Sequence, residues 1–117
     1  MATDSISRRL GKWVADLRYE DLPAEVLDRA RGVTLQGLSS CQLGYDLPET
    51  RQAIRLVEEE EKGCSGSTTA LVDGRTFSRA GAAFINSEMM FTGGKWDTFR
   101  MVTHPGCAIL PAALVAA

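Results

Sequence analysis

The sequence predicts a mainly α-helical chain with one short β-hairpin. Apolar residues recur at spacings of three and four along most of its 117 positions, which is the helical period. Proline and serine stand where helices should open, and glycine where they should close. One stretch, 68–77, departs from that rhythm, with β-branched residues placed around an Asp-Gly pair.

Helix one is predicted from about Asp4 to Leu17, with Ile6, Leu10, Trp13, Val14 and Leu17 on one apolar stripe. Arg8, Arg9, Lys12 and Asp16 fall on the opposite, solvated face. Tyr19–Pro23 is a turn, and Pro23 opens helix two with Glu25 in its first turn. Its predicted buried face is Val26, Leu27, Ala30, Val33, Thr34, Leu38 and Cys41. The small residues from Gly37 to Cys41 allow close helix–helix contact, and Gly44 ends the helix. Helix three starts near Pro48 and turns Ala53, Ile54 and Val57 inward. It finishes in four consecutive acids, Glu58–Glu61, a solvated end that opposes the helix dipole and should fray.

Thr68–Val72 and Arg75–Phe77 form the predicted hairpin, joined at Asp73-Gly74 and too small to stand alone. Ser78 caps helix four, whose packed residues are Ala82, Ala83, Ile85, Met89 and Met90, with Asn86 near the middle. Met89 and Met90 fit a core role better than a pocket lining. Thr92-Gly-Gly94 breaks the helix and frees a loop. The last helix, Cys107–Ala117, has no partner in the remaining sequence. The chain stops inside that apolar helix without a closing Gly, Asn or basic residue, so its end reads as a cut.

The loop from Lys95 to His104 concentrates the polar chemistry. It holds the only histidine, His104, with Lys95, Asp97, Thr98 and Arg100 close by. Pro105 fits the first turn of the last helix, which places His104 at or near the N-cap. The open N–H groups of that helix would attract a carboxylate, and their field favours a neutral, proton-accepting imidazole. For a lone histidine at a helix start, the alternative is a solvated cap.

Composition narrows the classes. Hydrophobic residues make up 44% and charged residues 24%, as in an ordinary folded chain of one domain. A net charge of −2 with no basic patch argues against nucleic acid as a main partner. No apolar run approaches the roughly 20 residues of a membrane span, and the N-terminus lacks a secretory h-region, so the expected location is cytoplasmic. Cys41, Cys64 and Cys107 are widely spaced without a CxxC, which fits reduced thiols and neither a zinc site nor a disulfide framework.

Several segments, in order, carry a family resemblance. They are Leu17-Arg-Tyr-Glu-Asp-Leu-Pro-Ala-Glu-Val26, the small-residue helix ending at Gly44, Ser67-Thr-Thr-Ala-Leu-Val-Asp-Gly74 and Ala82-Ala-Phe-Ile-Asn86. Most specific is Asp97-Thr98 followed by His104-Pro-Gly-Cys-Ala-Ile-Leu-Pro-Ala-Ala113. Together they resemble the N-terminal part of the MmgE/PrpD family, which includes 2-methylcitrate dehydratases, cis-aconitate decarboxylases and iminodisuccinate epimerases. The resemblance implies the first part of a large all-helical domain, with the family's α/β lid domain and remaining helices absent from these 117 residues. It also implies a homodimeric protein that needs neither a metal nor an organic cofactor.

Carried over by position, the resemblance makes His104, Asp97 and Thr98 the catalytic candidates and Lys95 and Arg100 the substrate-binding ones. The family's motif before the HPG segment reads aspartate, aromatic, Asp-Asp-Thr-His. Here Gly94, Trp96 and Phe99 replace the first aspartate, the first of the paired aspartates and the histidine. The shared chemistry is movement of a proton at carbon beside a carboxylate. His104 suits either acid or base, Asp97 can orient an imidazole, and Thr98 can donate to a carboxylate. Arg100 is better suited than Lys95 to bidentate pairing.

Three functions are therefore expected in turn. The first is the N-terminal portion of a lyase acting on small di- or tricarboxylates and inactive by itself. The second is a subunit of a split or divergent isomerase or epimerase, completed by a partner chain. The third is a non-catalytic helical interaction module.

Overall fold

The computed structural model describes residues 5–95, 97–99 and 103–117, and among them it holds five α-helices and one two-stranded antiparallel hairpin. The mainly α class with a single short hairpin is thus what the chain adopts. Its contacts separate two compact units, residues 1–30 and 31–117. None of the described helices is long and apolar enough to cross a membrane.

In the first unit, Ser5 caps α1 (Ile6–Asp16), its hydroxyl accepting the Arg8 N–H at 3.3 Å. The apolar stripe forms as predicted, but no α1 residue is buried. A single 3₁₀ turn, Tyr19–Asp21, follows, and the Asp21 carboxylate accepts the Arg18 N–H at 3.2 Å. The Pro23 carbonyl then accepts from Val26 at 2.9 Å as α2 (Ala24–Gly44) begins.

The second unit is built around α4 (Arg79–Thr92), which packs against α3 (Pro48–Glu60), α5 (Gly106–Ala116) and both strands, β1 (Thr68–Thr69) and β2 (Thr76–Phe77). Its inward residues Ala82, Ile85, Met89 and Met90 are at most 2% exposed, so the two methionines are core. Ala53, Ile54 and Val57 of α3 complete that face as expected.

The small-residue contact predicted from Gly37 to Cys41 forms, with Cys41 buried, but the apolar part of the predicted face differs. Val26 and Leu38 are exposed, and the buried residues are Gly37, Ser40, Cys41 and Gly44. Close approach is the reason. A Cβ on Gly44 would lie 2.1 Å from the Met89 carbonyl oxygen, and one on Gly93 would lie 1.9 Å from that of Ser40. At this spacing only small residues fit between α2 and α4, and larger apolar side chains are displaced from the contact. Ser40 Oγ uses the proximity to donate to the Met90 carbonyl at 2.7 Å.

Two of the four acids ending α3 are engaged, which corrects the expectation of a purely solvated, fraying end. Glu58 pairs with Arg75, and Glu61 accepts from both the N–H and the hydroxyl of Ser78. Ser78 in turn accepts the Gly81 N–H at 3.0 Å, so it caps α4 while being held by α3. The hairpin pairs Thr68 with Phe77 and Thr69 with Thr76, shorter than predicted because Val72 and Gly74 both take positive φ. Buried Asn86 holds it to α4: its Oδ1 accepts the Leu71 N–H at 2.7 Å and its Nδ2 donates to the Thr69 carbonyl at 3.2 Å.

α5 carries Pro111 in its interior. Proline has no N–H, so the carbonyl four residues earlier, that of buried Cys107, loses its helical donor. Ser87 Oγ of α4 donates to that carbonyl instead. One hydroxyl thereby satisfies the helix defect and pins α4 to the first turn of α5.

Candidate functional site

The loop between α4 and α5 carries the expected site residues, and its course follows from local chemistry. Gly93 caps α4, and Gly94 has φ +72°, a conformation that glycine adopts without strain. The Lys95 N–H then donates to Ser40 Oγ at 3.1 Å, tying the loop to α2. Phe99 and Thr103 pair as an isolated antiparallel bridge, the Phe99 N–H reaching the Thr103 carbonyl at 3.0 Å. His104 and Pro105 follow, and Pro105 is the N-cap of α5, which puts His104 one residue before the cap.

Asp97 organises this corner. Both carboxylate oxygens lie 3.0 Å from the Gly106 nitrogen, so Asp97 accepts the first N–H of α5. The helix terminus predicted to attract a substrate carboxylate is therefore occupied by a carboxylate of the chain itself. Gly106 suits the contact, because a Cβ there would sit 2.6 Å from Asp97 Oδ1.

The Asp97 backbone carbonyl lies 2.8 Å from His104 Nδ1, and Thr98 Oγ1 lies 3.4 Å from the same nitrogen. A carbonyl oxygen only accepts, so Nδ1 carries the proton, and the lone pair of the neutral ring is on Nε2. The ring stands edge-on to Phe91, with centroids 6.2 Å apart and an interplanar angle of 62°.

A groove of about 450 Å³ opens beside the imidazole, lined by Ser87, Glu88 and Phe91 of α4 and by Thr103, His104 and Ala108. Lys95 and Asp97 line a different, water-sized cavity of about 10 Å³, together with Gln36, Gly37, Met90 and Leu110. The structure thus joins His104 to Asp97 and Thr98 through Nδ1 and places Lys95 and Asp97 at the second cavity. Arg100 lies outside the described residues.

Glu88 is the site residue that the sequence reading does not single out. The available signal is its being the only acid in α4, directly before the core pair Met89 and Met90.

Cys41 and Cys107 offer no activated nucleophile. Burial pushes the Cys41 thiol up to about 11, with Cys107 nearby adding to the effect. Burial and then the charge of Asp97 push the Cys107 thiol up as well. Both are free and buried, while Cys64 is free and exposed. Among the described residues no three His, Cys, Asp or Glu side chains converge as metal ligands would.

A model of the MmgE/PrpD N-terminal domain matches residues 8–117. The chain is 26% identical over 115 residues to the cis-aconitate decarboxylase-like protein oryM of Aspergillus oryzae. The match covers 97% of this chain and 23% of that relative, so the chain spans under a quarter of the relative's length. No solved structure matches the chain.

Proposed function

Because the chain belongs to the MmgE/PrpD family, we propose that it supplies the N-terminal part of the helical domain of a lyase. The enzyme removes water or carbon dioxide from small di- or tricarboxylates by acid–base catalysis, as a 2-methylcitrate dehydratase or cis-aconitate decarboxylase does. The observation that carries this reading is the His104 Nδ1 contact to the Asp97 carbonyl at 2.8 Å beside an open groove. It presents Nε2 as a proton acceptor of defined tautomer and orientation, which is what a general base requires.

In the dehydration form, Nε2 takes the proton from carbon beside a substrate carboxylate, and the hydroxyl leaves as water with a proton from an acid elsewhere in the assembled site. In the decarboxylation form, His104 first takes a proton from solvent and, as the imidazolium, delivers it to the carbon that has lost CO₂, ending as the neutral ring. Asp97 acts as a positioning residue through its carbonyl and its cap, and Thr98 supports the same nitrogen. Lys95 and Arg100 are the cations of the loop assigned to substrate carboxylates. The setting is the cytoplasm, where the three thiols stay reduced.

The remainder of the site comes from further polypeptide or from a partner chain that carries it. Exposed Ile109 and Leu114 on α5 support this, since apolar side chains of a helix gain from being covered. Native mass spectrometry of the protein from its source tests that point, a complex or a covalent mass above 12.7 kDa being expected.

Turnover is tested in that assembly by following the conjugated acid in the ultraviolet. His104→Asn should lower kcat about 10²–10⁴-fold, as loss of a general base does. Unchanged turnover would leave the chain as a helical interaction module.

A further inference from the structure

The groove beside His104 contains a charged group that the proposed chemistry leaves without a role. Glu88 lies three residues before Phe91 on α4, so the two share a helix face, and both line the groove with His104. Its backbone is held firmly. Ser87, the preceding residue, is bonded to the Cys107 carbonyl, and the two that follow, Met89 and Met90, are core. Thr92 Oγ1 donates to the Glu88 backbone carbonyl at 2.7 Å and lies 3.3 Å from Oε1 of its carboxylate.

Among the described residues, two other titratable groups flank the imidazole. From α5, Cys107 contributes a neutral thiol. From the loop, Asp97 directs its carboxylate onto the Gly106 N–H and lines the other cavity with Lys95. Among the described residues lining the groove, Glu88 is the one carboxylate.

We propose that Glu88 is a positioning residue for proton transfer at His104, its carboxylate stabilising the imidazolium formed when Nε2 takes a substrate proton. In that step the substrate C–H bond breaks, its electron pair stays on carbon and the proton passes to Nε2. The ring then carries a positive charge that Glu88 faces across the groove. Such a pairing makes His104 a stronger base and offsets the field of the adjacent helix terminus. The proposal rests on the reading of His104 as the base.

The test uses the 117-residue chain, in which His104 is the only histidine, so the ¹⁵N imidazole signals belong to it alone. In Glu88→Gln the His104 titration midpoint should fall by about 0.5–1 pH unit relative to the unsubstituted chain. Glu88→Asp should restore most of the difference, and Glu88→Lys should lower the midpoint further. A midpoint that does not move in Glu88→Gln and Glu88→Lys overturns the pairing and leaves the base reading standing. A neutral ring protonated on Nε2 in the unsubstituted chain overturns the base reading itself, a failure visible without any substitution.

Discussion

Asp97 holds His104 from two directions: its carbonyl oxygen is 2.8 Å from Nδ1, and its carboxylate accepts the first N–H of the helix that His104 precedes. One residue therefore fixes the tautomer of the imidazole and the start of the element that carries it. Asp97→Ala removes the cap and should cost about 1–2 kcal/mol of stability. Asp97→Asn keeps an acceptor oxygen but loses the charge at the helix terminus, which should cost about 0.5 kcal/mol. Urea unfolding of the three chains measures both, and an Asp97→Ala midpoint equal to that of the parent would remove Asp97 from its capping role.

The α2–α4 crossing gives a sharper contrast on stability. Gly44→Ala places a methyl 2.1 Å from a backbone oxygen, which only displacement of a helix can relieve. A loss of about 3 kcal/mol, the upper end for overpacking, is expected. Gly32→Ala lies on the same helix with nothing within 4 Å of the added carbon. It should gain up to about 1 kcal/mol from helix propensity. Thermal unfolding separates the pair, and similar melting temperatures would contradict the close crossing.

That crossing also shows how far the sequence could be read. Ser78, Pro48, Gly44 and the Thr92-Gly-Gly94 break are local signals, and each marks a boundary within one residue of where the structure has it. On α2 the small-residue contact from Gly37 to Cys41 was legible, but apolar periodicity also turned Leu38 inward, whereas the distance between the helices admits only the small residues. At the candidate site, the histidine, its helix and Asp97-Thr98 were visible as sequence neighbours. The capture of the Gly106 N–H by Asp97 and the approach of Glu88 from α4 depend on how the loop folds back, which no spacing encodes. The Glu61–Ser78 link was hidden for the same reason: seventeen residues separate its ends.

Acid should weaken the second unit through two carboxylates. Glu61 is held below its ordinary 4.5 by the hydroxyl and N–H of Ser78. Burial raises Asp73, but the N–H and guanidinium of Arg75 and the Tyr45 hydroxyl outweigh it and leave the group below its ordinary 3.8. A carboxylate with a lower pKa folded than unfolded binds fewer protons in the folded state. Its contribution is complete above the ordinary value and is lost as pH falls through the folded one. The urea midpoint should therefore be flat near neutrality and decline below about pH 4.5. Glu61→Gln and Asp73→Asn should each lower the neutral midpoint and flatten the acid decline. A decline unchanged in both variants would place the acid-sensitive groups elsewhere.

The Ser87–Pro111 arrangement makes a prediction about coupling. Pro111 removes the donor for the Cys107 carbonyl, and Ser87 supplies one from α4. Ser87→Ala leaves a buried carbonyl unsatisfied and should cost about 1–3 kcal/mol. Pro111→Ala restores an N–H four residues along α5, which can take over that carbonyl. In the Pro111→Ala background the Ser87→Ala cost should fall by at least about 1 kcal/mol, a coupling of the size expected for residues sharing one partner. Equilibrium unfolding of the four chains in a double-mutant cycle reads the coupling directly. Strict additivity would show that Ser87 stabilises the chain by some means other than repairing the proline defect, and Glu88 would lose the anchor that holds it over the His104 groove.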